Sequence, residues 1–203
     1  FFYKDYAPLF PATISADIIS CPTGSYSDTV QQYGADYLLI SCPGEHTITL
    51  QGKTTTTLLE TGSHSGDYSF WSNKGDESNM YLSREFDLTS LTDTATLEYY
   101  TWYDLEEDYD YAYVMASIDG EKWDILKTPS GTDKDISGNS FGWGYNGKTF
   151  GWINESVDLS AYAGKKVQIR FEYITDAAVN GEGMLLDDIS LPELEYFEEF
   201  GEG

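Results

Sequence analysis

The chain has 203 residues, of which 40% are hydrophobic and 16% aromatic, so it carries enough apolar material for one large core or two smaller ones and is no disordered acidic tail. Against 35 acidic residues stand 11 basic ones, and a formal net charge of −24 makes binding to nucleic-acid or anionic-membrane phosphate unfavourable. Cations, or neutral partners such as sugars, suit this surface better, and solubility is the plain alternative use of the charge.

Taken in chain order, the opening FFYKDY shows no signal peptide and no initiator Met, and the chain reads as a fragment of a longer precursor. No run approaches the roughly 18 apolar residues of a membrane helix, so membrane insertion is not expected. Residues 1–58 stand apart as a small β segment, with YLLIS and HTITLQG as short strands. Its two cysteines, Cys21 and Cys42, each precede proline and therefore sit at extended or turn positions. A disulfide between them would stabilise by about 3 kcal/mol; two buried free thiols are the other reading. The bridge, the polar loops and the acidity favour an extracellular or cell-surface location.

From residue 59 to 194 period-two alternation recurs and long amphipathic helical patterns are missing, which makes this an all-β region. In ATLEYYTWY, Leu97, Tyr99, Thr101 and Tyr103 share one face. In AYVMASI, Ala112, Val114, Ala116 and Ile118 do. In KVQIRFEYI, Val167, Ile169, Phe171 and Tyr173 do, opposite Gln168, Arg170 and Glu172. Asp119-Gly120 marks a tight hairpin inside SIDGEKW, whose Asp is expected to bond backbone amides, and Tyr162-Ala163-Gly164 closes a second turn. Residues 129–152 are too long and Gly-rich for a simple connection, so they are expected to lie over the surface or to form part of a binding face. REFDLTSLTDTATLEYYTWYD and ESVDLSAYAGKKVQIRFEYITD echo one another, as the two halves of an antiparallel jelly-roll β-sandwich would.

FWSNKGDESNMYLSREFDLTS, TWYDLEEDYDYAYVMASIDGEKWDIL, GWINESVDLSAYAGKKVQIRFEYITD and GEGMLLDDISLPEL, in that order, resemble the MAM-like β-sandwich that follows the catalytic domain in immune inhibitor A-type secreted metallopeptidases, peptidase family M6. QQYGADYLLI and HTITLQG resemble the β segment linking protease and sandwich, and residues 195–203 resemble the start of a further module. The resemblance implies a non-catalytic accessory domain that packs on the parent's catalytic domain or steers it to a polysaccharide or protein substrate. The family's zinc sits on an HExxH helix; here the only histidines, His46 and His64, have neither that spacing nor a helix, so no zinc is expected in this fragment. A free-standing carbohydrate-binding module and a structural spacer of a cell-surface protein are the rival readings.

The stretch WYDLEEDYDYAYV sets five carboxylates among aromatics with no Lys or Arg. If the hairpins are neighbours, Asp104, Glu106, Asp108, Asp176 and Asp187 converge at one end of the sandwich as hard oxygen ligands for Ca²⁺. Modules of the resembled kind often hold a structural calcium, which supports that reading; a solvated acidic loop capping turns is the alternative. A carboxylate pair for glycoside hydrolysis is discounted because acids are so abundant that pairs arise by chance. SHSG lacks the elbow a nucleophilic Ser needs. In the Gly-rich stretch, Trp143, Tyr145 and Trp152 are the candidate rings for stacking on a sugar or apolar side chain, against the reading that they form a satellite core.

Overall fold

A computed structural model describes residues 16–21, 25–30, 35–54 and 57–198. The chain divides into two compact units, Phe1–Thr56 and Thr57–Gly203. In the first, β1 (Asp17–Ser20) and β2 (Leu38–Ser41) pair in parallel, Asp17 opposite Leu38. Just past both strand ends Cys21 and Cys42 form a disulfide with Cα atoms 5.2 Å apart. HTITLQG, expected as a strand, is irregular: Ile48 and Leu50 are exposed, so its alternation has no described surface to bury against.

The second unit is an antiparallel jelly-roll β-sandwich. One sheet holds β5 (Thr96–Asp104) between β8 (Ile153–Asp158) and β10 (Gly183–Leu191), with β3 (Phe70–Trp71) and β11 (Tyr196–Glu198) both pairing with β10. The other runs β4 (Asn79–Asp87), β9 (Lys166–Ile174), β6 (Tyr111–Ser117), β7 (Asp124–Ile125). Residues 196–198, assigned from sequence to a tail, thus add an edge strand, while 199–203 lie outside the described residues.

The alternating rows become the core. Leu97, Tyr99, Thr101 and Tyr103 are buried, as are Val167, Ile169, Phe171 and Tyr173, and Ala112, Val114 and Ala116. Ile118 is the exception, exposed where β6 has already ended at Ser117. Both echoed segments cross from one sheet to the other, β4 to β5 and β8 to β9, and their corners hold each other: Leu88 N–H donates to Lys165 O and Gly164 N–H to Leu88 O, both at 2.9 Å, and Leu159 N–H donates to Ala95 O at 2.8 Å. Leu88 and Leu159 are fully buried at these corners. The β6–β7 turn uses Gly120 at φ 74°, and Asp119 Oδ1 accepts the N–H of Glu121 (2.9 Å) and Lys122 (2.8 Å). Those bonds hold its carboxyl below the usual carboxylate range.

The Gly-rich stretch packs against the sandwich. Tyr145 bridges to Ala112 on β6 and Lys148 to Asp104 on β5, so residues 145–148 close one side between the two sheets. Gly144 leaves no room for a side chain, since a Cβ there would lie 2.8 Å from the Tyr113 ring and 2.9 Å from Ala112 O. No described helix is long and apolar enough to cross a membrane.

Candidate metal centre

The register Tyr111↔Ile174 carries the chain just before β6 and just after β9 past the same end of the sheet. Asp110 and Asp176 meet there, and the turn 105–109 folds Glu106 back over them, Asp110 N–H donating to Glu106 O at 3.1 Å. One carboxylate oxygen from each of Glu106, Asp110 and Asp176 lies within 4.8 Å of the others.

Asp110 is fully buried. Its Oδ1 accepts the backbone N–H of Asp176 at 3.0 Å and its Oδ2 the Tyr173 hydroxyl at 3.1 Å. Burial nevertheless pushes its pKa up, outweighing these two bonds, and the charges of Asp176 and Asp76 add to the rise. The same Asp110 charge, after burial, raises the Tyr173 phenol. Glu106 is raised as well, by burial first and then by Asp176, Asp110 and Asp76. Its Oε2 is shut off from solvent and has no hydrogen-bond partner. Among the described residues every ion pair lies elsewhere, so no Lys, Arg or His balances these three groups.

Asp176 Oδ1 accepts Ala178 N–H (3.2 Å) and its Oδ2 accepts Asn139 Nδ2 (3.3 Å), while Asp76 Oδ1 accepts Asn180 Nδ2 (2.6 Å). Such a set of carboxylate oxygens, with one orphaned inside, fits a hard cation that takes six to eight oxygen ligands; waters and Asp76 are available to complete the shell. A divalent ion would offset both the burial and the mutual repulsion that raise the Asp110 and Glu106 carboxyls.

The five carboxylates expected to converge do not all lie together. Glu106 and Asp176 belong to the cluster, and Asp110, which was not expected, is its buried member. Asp104 ends β5 with its carboxylate 3.1 Å from Lys148 Nζ, an ion pair outside the trio. Asp108 is the turn residue, at φ 70°, its N–H donating to Asn146 Oδ1 at 3.0 Å. Asp187 is far from this end: Asp104 pairs with Gly183, whereas Asp187 pairs with Tyr100, four residues further along β10 and about 14 Å away at strand rise. There it is fully buried, accepting N–H groups from His64 (2.8 Å), Ser65 (3.1 Å) and Asp188 (2.9 Å). His64 Nδ1 lies 2.6 Å from Asp188 Oδ2. The other grouping of possible metal ligands among the described residues, Cys21, Cys42 and His46, has both sulfurs in the disulfide.

The ring candidates are also redistributed. Tyr145 is fully buried, its hydroxyl 2.5 Å from that of Tyr99, and presents no face to a ligand. Trp143 donates its indole N–H to Thr128 O (3.0 Å) and Trp152 to Gly62 O (3.1 Å), so both rings are half-buried struts. The exposed rings of the stretch are Phe141 and Phe150. Phe141 borders a groove of about 270 Å³ shared with Tyr109, Tyr111, Asn139 and Asp176, next to the carboxylates.

Among known proteins, the chain is 34% identical to the pre-pro-metalloprotease PrtV of Vibrio cholerae over 126 residues, which are 62% of this chain and 13% of that protein. It is 40% identical to Immune inhibitor A of Bacillus thuringiensis subsp. alesti over 130 residues, 62% of this chain and 17% of the relative. The chain therefore spans less than a fifth of the length of these relatives. A solved structure, TmCBM61 in complex with β-1,4-galactotriose, matches with a TM-score of 0.38 and 15% identity over 68% of this chain and 75% of that one. The family model described as "Immune inhibitor A-like, MAM domain" matches residues 43–193, most of the chain, and the chain belongs to that family.

Proposed function

We propose that this chain is a non-catalytic accessory module of a secreted metallopeptidase and that Ca²⁺ bound by Glu106, Asp110 and Asp176 stabilises one end of its sandwich. The observation that carries the calcium reading is the trio of oxygens within 4.8 Å whose buried Glu106 Oε2 has no partner. Membership of the family and the likeness to a metalloprotease and to Immune inhibitor A support the accessory role. In that role the module packs on the parent's catalytic domain or presents a surface to its substrate. Calorimetric titration with Ca²⁺ and melting in Ca²⁺ against EDTA test the ion: one saturable site and a higher Tm with calcium are expected, and equal Tm values with no binding heat would overturn it. Co-purification with the catalytic domain of the parent peptidase tests the role.

A second reading, a carbohydrate-binding module, is favoured by one observation, the groove beside the carboxylates with Tyr109, Tyr111 and Phe141 on its walls. Retention on an insoluble polysaccharide that survives high salt and is lost in Phe141→Ala would establish it.

A further inference from the structure

A second polar group, remote in sequence from the carboxylate cluster, is sealed inside the sandwich under the start of the Gly-rich stretch. Glu155 projects from β8 in phase with Val157 and is fully buried, yet it is a carboxylate. Its Oε2 accepts only the backbone N–H of Ser130, at 3.2 Å, and its Oε1 has no partner. Thr128, 4% exposed, has a buried hydroxyl that likewise lacks one. Strand register sets Tyr99 on β5 directly opposite Glu155, both fully buried, and the Tyr99 hydroxyl sits 2.5 Å from that of Tyr145, while Thr128 lies two residues before the Ser130 whose N–H Glu155 accepts. Among the described residues no Lys, Arg or His pairs with Glu155.

We propose that Glu155, Thr128, Tyr99 and Tyr145 enclose a single dehydrated monovalent cation, of which sodium is the abundant example. The donor set is all hard oxygen: two from the carboxylate and three hydroxyls, atoms that suit alkali and alkaline-earth ions and no soft metal. Charge selects the class. One carboxylate is neutralised by one positive charge, whereas a divalent ion would leave a net charge buried in apolar surroundings, a costly arrangement. A water molecule alone would satisfy Oε1 and the Thr128 hydroxyl but leave the carboxylate uncompensated. The ion would tie β8 to Ser130, pinning the start of the segment that carries Phe141 and Phe150.

The test is melting of the full chain in EDTA, which empties the end site, at equal ionic strength in sodium, potassium or tetramethylammonium chloride. Tetramethylammonium screens the surface charge equally but is too large to enter. The expected result is a Tm that is highest in sodium, rises with its concentration, and loses this ion dependence in Glu155→Gln. Thr128→Val serves as the second variant should Glu155→Gln not fold, with the same loss expected. Broadening of the ²³Na resonance by the wild type and not by the variant is the direct readout. Identical melting in all three salts, or an ion response that persists in both variants, would overturn the proposal and leave Glu155 as a buried core residue that holds no ion.

Discussion

The backbone N–H of Asp176 donates to Asp110 Oδ1 at 3.0 Å, so the fold bonds together two residues whose charges repel. Strand register enforces this closeness, because Tyr111 and Ile174 are paired and the chain must leave both strands at the same edge. Local sequence preference plays no part in it. Burial first, and then the charges of the neighbouring carboxylates, raise the carboxyls of Asp110 and Glu106.

Asp110→Asn is therefore expected to change sign with the ion. In saturating Ca²⁺ it removes a ligand and costs about 1–3 kcal/mol, in the range for loss of a buried charged partner. In EDTA the same change relieves repulsion and raises Tm. Chemical denaturation of both proteins in both buffers checks it, and destabilisation of equal size in the two buffers would sink the calcium site.

The pH dependence follows from the direction of the same shifts. In EDTA, a carboxyl whose folded pKa lies above its unfolded value binds more protons folded than unfolded between the two. The stability from Asp110 and Glu106 is then fully present below the ordinary carboxylate range and is lost as pH rises through their raised values. Calcium favours the ionised form and should reverse the slope in that window. Asp119 and Asp158, lowered by hydrogen bonds in their turns, contribute oppositely, with stability lost on acidification, so the difference between wild type and Asp110→Asn isolates the site.

Asp187→Asn separates geometry from composition. Its carboxylate accepts three backbone N–H groups in the interior, so the variant should lower Tm by the same amount with and without calcium. Asp176→Asn should lower Tm only when calcium is present. Titration calorimetry of Asp187→Asn with unchanged calcium affinity would confirm the separation.

Leu159→Ala should cost about 2–5 kcal/mol, since it empties a fully buried corner where the two sheets cross over. Phe150→Ala, at a fully exposed ring, should fall within about 0.5 kcal/mol of wild type. Urea denaturation measures both.

In the N-terminal unit, free-thiol titration of the unfolded, unreduced chain should find none, and replacing both cysteines by serine should cost that unit about 3 kcal/mol. Finding two free thiols would remove the bridge.

Much of the architecture was legible because a period-two row needs no partner to be recognised: Leu97 to Tyr103 and Val167 to Tyr173 declare a buried face in any sheet. The corner at Gly164 and the Asp119 turn were legible for the same reason, their chemistry being local. Asp110 also had a readable sign, since it stands in phase with Ala112, Val114 and Ala116, and an acid in a core-facing row requires a partner. What only the tertiary structure decided was which carboxylates share a site. That depends on strand register, a relation between distant segments: it set Asp187 about 14 Å from Asp104 and Asp176 against Asp110. Composition supplied the abundance of acid, and the pairing of β6 with β9 turned three of those acids into a cluster.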